Sequence, residues 1–91
     1  MALLYPKKDK VMMEIEVRLF ATLQDLVPKK NHSHFFSMEI ERGSTAGAVL
    51  HKLKIPEEMA KIILVNGRYS SEDTVLEEGD VLGVFPPLGG G

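Results

Sequence analysis

The chain has 91 residues, of which 44% are hydrophobic, and its 11 basic and 13 acidic side chains give a formal net charge of −2. This length suits one small domain, and the charge balance lacks the basic surface expected of a nucleic-acid-binding protein. Cysteine is absent, which excludes disulfides, thiol nucleophiles and cysteine-ligated zinc or iron–sulfur sites. No apolar run is long enough to span a bilayer and no signal peptide is evident, so we expect a cytoplasmic protein.

The first predicted element is a half-buried strand over residues 13–20, where apolar and polar side chains alternate. Residues 1–12 are expected to form an N-terminal extension that can be disordered. Residues 21–33 are predicted to be a loop or short turn, because Pro28, Lys29, Lys30 and Asn31 interrupt any regular element. A second alternating segment, residues 35–41, predicts a strand that pairs with the first.

A helix is predicted over residues 45–53, because Ala46, Val49, Leu50 and Leu53 fall on one helical stripe. Ser44 or Thr45 can cap its start, and Pro56 prevents a simple continuation. Gly47 lies within the first turns, where it indicates either a close approach of helix and sheet or a tolerated weak position.

The remaining elements follow from one apolar run and two turn motifs. Residues 62–65 predict a central strand, and Asn66-Gly67 is the favoured pair for a tight hairpin turn. Val75 and Leu76 are expected to form a small hydrophobic plug. Residues 77–80 predict a turn into a closing strand over residues 81–85.

This order of elements predicts an α+β fold of the β-grasp (ubiquitin-like) class, a mixed sheet covered by one main helix. The predicted domain spans residues 13–85. Residues 86–91 are expected to form an extended tail, because Pro86 and Pro87 lack amide donors and stop strand pairing. Glycine has no Cβ, so the run from Gly89 to Gly91 can enter a narrow groove; the alternatives are a frayed terminus or a cloning remnant.

Four segments of the chain resemble motifs of the MoaD/ThiS family of ubiquitin-like sulfur carriers. They comprise Val65-Asn66-Gly67-Arg68, Leu76-Glu77-Glu78-Gly79-Asp80-Val81, the ending Val84-Phe85-Pro86-Pro87-Leu88-Gly89-Gly90-Gly91, and the opening segment Val17-Arg18-Leu19-Phe20-Ala21-Thr22-Leu23. The Phe85-Pro86-Pro87 segment is more similar to the molybdopterin synthase small subunit. The triple glycine and the short link from helix to strand are more similar to ThiS-type carriers.

The resemblance implies that the C-terminal carboxylate of Gly91 is adenylated by an activating enzyme that uses ATP, and that sulfur then replaces AMP to leave a thiocarboxylate. The implied partners are a MoeB/ThiF-like adenylating enzyme, a sulfur donor, and a MoaE-like synthase large subunit or a thiazole synthase. Pro86, Pro87, Leu88, Gly89 and Gly90 would be inserted into a partner.

A partner-binding surface is predicted from strand alternation. Phe85 lies on the strand face opposite Leu82 and Val84, and Phe20 lies opposite the inner residues of its own strand. Phe85, Val81, Phe20 and, as a further candidate, Phe35 could therefore form an exposed apolar patch. Ordinary packing is an equally weighted alternative for Phe20 and Phe35, whereas Phe85 also matches the family's partner-facing aromatic residue.

No catalytic residue, metal site or bound cofactor is assigned. His32 and His34 supply too few ligands for a closed metal site, and His51 is expected to be a surface residue of the helix. The adjacent pairs Glu57-Glu58 and Glu77-Glu78 are expected to be solvated charges.

Three functions are compatible with the sequence. The first is a sulfur carrier for molybdopterin or its tungsten analogue, with thiamine biosynthesis as the alternative pathway. The second is a protein modifier that is joined to lysines through Gly91. The third is a β-grasp binding module with an inert tail.

Overall fold

The computed structural model describes residues 11–26, 35–60 and 62–87. Five strands form one sheet: β1 (Met12–Leu19), β2 (Phe35–Glu41), β3 (Ile62–Val65), β4 (Arg68–Ser70) and β5 (Val81–Phe85). A single α-helix, α1 (Ala46–Lys52), and two short 3-10 helices, Ala21–Leu26 and Glu57–Met59, complete the described elements. Strand β1 begins one residue before the predicted start and ends one residue earlier. The first ten residues of the predicted extension lie outside the described part.

The strand order is β2-β1-β5-β3-β4, in which β1 and β5 are parallel and the other neighbouring pairs are antiparallel. The sheet is therefore mixed, as the sequence predicts. The predicted pairing of the first two strands is confirmed, with Ile15 opposite Met38 near the middle of the pair. The middle strand is β5, and β3, which was predicted to be a central strand, is the interior strand beside it. The other neighbour of β3 is the short edge strand β4, and Ile63 is the only buried residue of β3.

The alternation of β1 divides the sheet into an inner face, which forms the core, and an outer face. Ile15, Val17 and Leu19 are buried, whereas Glu14 and Arg18 on the opposite side are exposed. The core lies between this inner face and the buried side of the helix. Its fully buried members from the other elements include Ile40, Val49, Leu76, Leu82 and Val84.

Helix α1 covers the inner face through Ala46, Val49 and Leu50, as its stripe predicts. Thr45 is the N-cap, because its side-chain oxygen accepts a hydrogen bond from the amide of Ala48 at 3.1 Å. Leu53 is the C-cap, and Lys54 then adopts a left-handed φ of 63°, which ends the helix before Pro56. Within the described part of the chain, no helix has the length and apolar character needed to cross a membrane.

Gly47 marks a close approach to a loop and not to the sheet. Its amide donates to the carbonyl of Glu72 at 2.9 Å, and a Cβ at this position would lie 3.1 Å from that same oxygen. The sequence correctly indicated a close approach at Gly47, but the segment that approaches the helix is the loop at Glu72 and not the sheet.

Two further local predictions are corrected by the structure. Residues 21–26, predicted to be part of a loop or short turn, form a 3-10 helix that buries Leu23 and is started by a hydrogen bond from the Leu23 amide to the Phe20 carbonyl. The proline that was expected to break regular structure comes only after this helix. In the predicted plug, Leu76 is buried but Val75 is 57% exposed. Val75 forms an isolated antiparallel bridge with Thr45, and consecutive extended residues point in opposite directions.

Candidate functional site

The candidate site lies on the outer face of the sheet, around the central strand β5. Leu82 and Val84 point into the core and are fully buried, whereas Val81 and Phe85 are half-buried on the other face. The predicted orientation of Phe85 is therefore observed. Because β5 has a neighbour on each side, its outward residues lie in the middle of this face.

Phe20 and Phe85 stack on each other at the end of this strand. Their ring centroids are 4.2 Å apart and their planes differ by 5°. The parallel register of β1 and β5 brings them together, since Leu19 is opposite Val84 and the Phe20 amide donates to the Val84 carbonyl at 3.1 Å. Stacked aromatic pairs contribute about 0.5–1.5 kcal/mol beyond their burial. Phe20 thus packs on Phe85 and leaves part of its surface exposed, and its role as a partner contact stays a prediction.

Gly83 provides the space beneath the Phe20 ring. A Cβ built on Gly83 would lie 3.5 Å from Cε2 of Phe20 and 3.9 Å from Cβ of Leu64. The ring therefore lies across the backbone of the central strand. These distances correspond to ordinary van der Waals contact, so the ring packs closely on the strand at Gly83.

Tyr69 extends this surface to the far edge of the sheet. It is 84% exposed and lies opposite Leu64 in the pairing of β3 and β4, and Leu64 in turn lies opposite Gly83. We call the set formed by Phe20, Leu64, Tyr69, Val81 and Phe85 the outer apolar surface. Neither Tyr69 nor Leu64 is predicted as a contact residue from the sequence, although the Asn66-Gly67 turn fixes the hairpin register that places them side by side.

Phe35 lies on the same face but on the other side of β1. It is exposed, and the Arg18 guanidinium carbon is 5.3 Å from its ring centroid, within the range of a cation–π contact. Arg18 also donates from Nε to a carboxylate oxygen of Glu16. A charged group therefore lies against Phe35, whereas Phe85 lies against the aromatic ring of Phe20.

The base of the tail adjoins the stacked pair. Pro86, which directly follows Phe85, is buried, and Pro87 is exposed. The accessible chain therefore begins at Pro87 and not at Pro86. Leu88, Gly89, Gly90 and Gly91 lie outside the described residues, so their extended conformation stays a prediction.

The two turn motifs that carry the family resemblance contact each other. Asn66 and Gly67 have φ values of 55° and 82°, the left-handed conformations that the predicted tight hairpin turn requires. The Asn66 backbone amide donates to the Val81 carbonyl at 2.8 Å, and its side-chain oxygen accepts from the Val81 amide at 2.9 Å. These motif residues therefore hold the start of β5 in place.

The other predicted polar residues form no evident site. No cluster of three or more side chains suited to a metal ion occurs within residues 11–26, 35–60 and 62–87. His51 is exposed in the last turn of α1, and Glu57, Glu58 and Glu77 are exposed. Glu78 is exposed too, but its carboxylate accepts a hydrogen bond from the Glu14 amide at 3.0 Å. His32, His34 and the lysine pair Lys29-Lys30 lie outside the described residues.

Comparison with known proteins identifies relatives of the whole domain. The family model described as Mut7-C ubiquitin matches residues 12–88. Small archaeal modifier protein 3 of Haloferax volcanii is 30% identical, in an alignment covering 87% of this chain and 100% of that protein.

Two solved structures are similar at 28% identity. The HVO 2177 protein of Haloferax volcanii has a TM-score of 0.74, with 96% of this chain and 94% of that chain covered. A Pyrococcus furiosus protein assigned as subunit 1 of a molybdopterin converting factor has a TM-score of 0.62, with 84% and 99% covered. These similarities confirm the predicted ubiquitin-like β-grasp class and the resemblance to MoaD-like proteins.

Proposed function

The chain belongs to the Mut7-C ubiquitin family, and on this premise we propose that it is a carrier protein whose Gly91 carboxylate is converted to a thiocarboxylate. The sulfur is delivered for molybdopterin or tungstopterin biosynthesis. One observation carries the proposal. The stacked pair Phe20–Phe85 is only partly buried, and Phe85 directly precedes the residues that lead to the glycines.

This adjacency gives a partner a means of placing the tail. A partner that binds the outer apolar surface holds Phe85 at a fixed position. Residues 86–91 follow Phe85, so an extended tail reaches about 20 Å from that contact. The partner recognises the outer apolar surface, and the glycines, which have no side chains, can enter a narrow reaction site.

The chemistry of the carboxylate requires activation by another protein. A carboxylate is a poor electrophile, whereas an acyl adenylate has AMP as a leaving group. The Gly91 carboxylate attacks the α-phosphate of ATP with release of pyrophosphate, and a sulfur nucleophile then attacks the acyl carbon with release of AMP. ATP and its metal ion are bound by the activating enzyme in this scheme, so the carrier acts as a substrate and contributes no catalytic residue.

The proposed partners are therefore a MoeB/ThiF-like adenylating enzyme, a sulfur donor and a MoaE-like synthase subunit. The Phe85-Pro86-Pro87 segment and the similarity to the Pyrococcus furiosus protein support the molybdopterin assignment. A thiazole synthase replaces the MoaE-like subunit in the alternative thiamine pathway. Use of ATP in biosynthesis leads us to place this activity in the cytoplasm.

Intact mass measurement tests the proposal. The purified protein is incubated with ATP, an activating enzyme and a sulfur donor, and fragmentation locates any change. We expect a mass gain equal to replacement of one oxygen by sulfur at Gly91, with AMP release. A variant lacking Gly90 and Gly91 is the control and should stay unmodified. Absence of both AMP release and mass change with several activating enzymes would overturn the proposal in favour of an inert tail.

A second candidate function is conjugation of Gly91 to lysine amines of other proteins. The observation that favours it is the 30% identity, over the whole length of the relative, to a protein described as a small archaeal modifier. Adenylation is common to both functions, but in conjugation a lysine amine finally attacks the acyl carbon of Gly91, forms the amide bond and displaces the leaving group.

Conjugation can be tested by mapping modified lysines. The chain has no lysine or arginine after Arg68, so trypsin leaves residues 69–91 on a modified lysine, a remnant too large for simple identification. The variant Leu88→Arg shortens this remnant to three glycines. Three-glycine adducts that depend on Gly91 would support conjugation; charging of Gly91 without any adduct would favour sulfur delivery alone.

A further inference from the structure

A groove lies at the pole of the domain opposite the tail, between the start of β1, the turn from β2 to α1 and the loop before β5. Its volume is about 570 Å³. The residues that matter here are Val11, Met12 and Val75 on its apolar part, and Arg42, Glu77 and Glu78 among its charged groups.

The apolar part of the groove is unusually exposed. Val75, Val11 and Met12 are 57%, 53% and 46% exposed, and they account for three of the five large exposed apolar side chains in the described part of the chain. The other two, Phe35 and Tyr69, lie on the outer face of the sheet. Exposed apolar side chains grouped around one groove are typical of a contact surface, because their burial is favourable by about 25 cal/mol per Å².

The walls of the groove are fixed by backbone hydrogen bonds. The Val11 carbonyl accepts from the Arg42 amide at 2.7 Å, and the Ser44 carbonyl accepts from the Leu76 amide at 2.9 Å. Val75 is held by its bridge with Thr45. The backbone of the groove is therefore already ordered, and binding of a ligand does not require these residues to lose conformational freedom.

We infer that this groove binds residues 2–5 of the same chain, Ala-Leu-Leu-Tyr. These apolar residues are followed by Pro6 and a segment containing Lys7, Lys8 and Lys10, which joins the described domain at Val11, on the groove itself. Residues 6–10 span at most about 17 Å, enough for the chain to reverse and return residues 2–5 to the groove.

Charge and connectivity both favour this occupant. Lys7, Lys8, Asp9 and Lys10 give the connecting segment a formal charge of +2, whereas Arg42, Glu77 and Glu78 give the groove a formal charge of −1. A short tether also gives an attached segment a local concentration on the order of millimolar, so weak apolar contacts suffice for binding. The inference does not depend on the proposed chemistry of Gly91.

NMR of the full chain with labelled methyl groups tests this directly. We expect nuclear Overhauser contacts between the methyl groups of Leu3 or Leu4 and those of Val75, and a shift of the Val75 methyl signals in a Leu3→Ser/Leu4→Ser variant. Deletion of residues 2–10 should shift the methyl signals of Val75 and Met12 and leave those of Leu82 and Val84 in place. The unchanged core signals confirm that the shortened chain is folded.

A charge variant and a concentration series complete the test. Glu77→Gln/Glu78→Gln removes the opposing charges but keeps an amide oxygen that can accept from the Glu14 amide, and it should lower the docked fraction at low salt. Tyr69→Ser, on the distant outer face, is the matched control and should leave the contacts intact. Absence of contacts together with unchanged Val75 signals on deletion would overturn the inference. Contacts found only between differently labelled copies would overturn it too, by assigning the groove to a second copy.

Discussion

The side-chain amide of Asn66 donates a hydrogen bond of 2.9 Å to one carboxylate oxygen of Asp80, joining the hairpin turn after β3 to the turn before β5. The second carboxylate oxygen of Asp80 accepts from the Glu77 amide at 2.8 Å. Because Asp80 is followed at once by β5, this pair fixes where the central strand begins.

A double-mutant cycle should detect this coupling. Asn66→Gly keeps the left-handed backbone conformation but removes the side-chain bonds, and Asp80→Ala removes the acceptor. We expect each change to lower the free energy of unfolding by about 1–2 kcal/mol and the coupling to be at least about 0.5 kcal/mol, measured by urea denaturation. Simple additivity of the two changes would contradict a direct interaction.

Phe85→Asp should weaken binding to the activating enzyme. Insertion of a charge into the outer apolar surface removes an aromatic contact, and we expect the Kd to rise about 30-fold, equivalent to roughly 2 kcal/mol. Loss of the stack with Phe20 should also lower the Tm by several degrees, since about 0.5–1.5 kcal/mol of stability is removed. Calorimetric titration and thermal unfolding give the two quantities.

The matched control for this experiment is Val75→Asp. It makes the same kind of change at an exposed apolar residue outside the outer apolar surface, and it should leave the Kd for the activating enzyme unchanged. Equal weakening by both variants would show a general effect of added negative charge. Complete unfolding of Phe85→Asp would reclassify Phe85 as a core residue.

Tyr69→Ser separates binding from stability more cleanly. The side chain is 84% exposed, so the free energy of unfolding should change by less than about 0.5 kcal/mol. If the partner covers the whole outer apolar surface, the Kd should rise about 5- to 30-fold, because buried tyrosines contribute strongly at interfaces. Tyr69→Phe keeps the ring and should bind nearly as well as the unchanged chain; an unchanged Kd for Tyr69→Ser would limit the interface to the Phe20–Phe85 side.

Gly47→Ala should destabilise the domain although alanine favours helices by about 1 kcal/mol over glycine. The added Cβ would lie 3.1 Å from the Glu72 carbonyl oxygen, which cannot retreat without lengthening its hydrogen bond to the Gly47 amide. We expect a net loss of about 1 kcal/mol in urea denaturation. Ala48→Gly, at the exposed neighbouring position, reports the propensity effect alone and should cost about 1 kcal/mol; a gain in stability for Gly47→Ala would show that the loop yields.

Local chemistry made several features predictable from the sequence. The alternation of β1 identified its inner residues, the helical stripe identified Val49 and Leu50, and Asn66-Gly67 specified a turn with two positive φ values. Each of these depends on interactions within a few residues, so a short window of sequence contains the necessary information.

Features that depend on distant pairing were harder to predict. The parallel register of β1 and β5 places Phe20 on Phe85, 65 positions later in the chain, and no local pattern encodes that register. No local pattern determines the position of β3 beside the middle strand. The direction of the Val75 side chain likewise depends on its bridge to Thr45, 30 positions earlier in the chain. The candidate surface was therefore identified through Phe85, Val81 and Phe20, while Leu64 and Tyr69 became apparent only from the assembled sheet.

Because β5 is the middle strand, the continuity of the sheet depends on the C-terminal part of the chain. Without this strand, β2 and β1 lose their connection to β3 and β4, and the sheet divides into two pairs. A chain that ends before Val81 therefore cannot display the outer face as a continuous surface. Binding to the outer face would therefore depend on a chain long enough to complete β5.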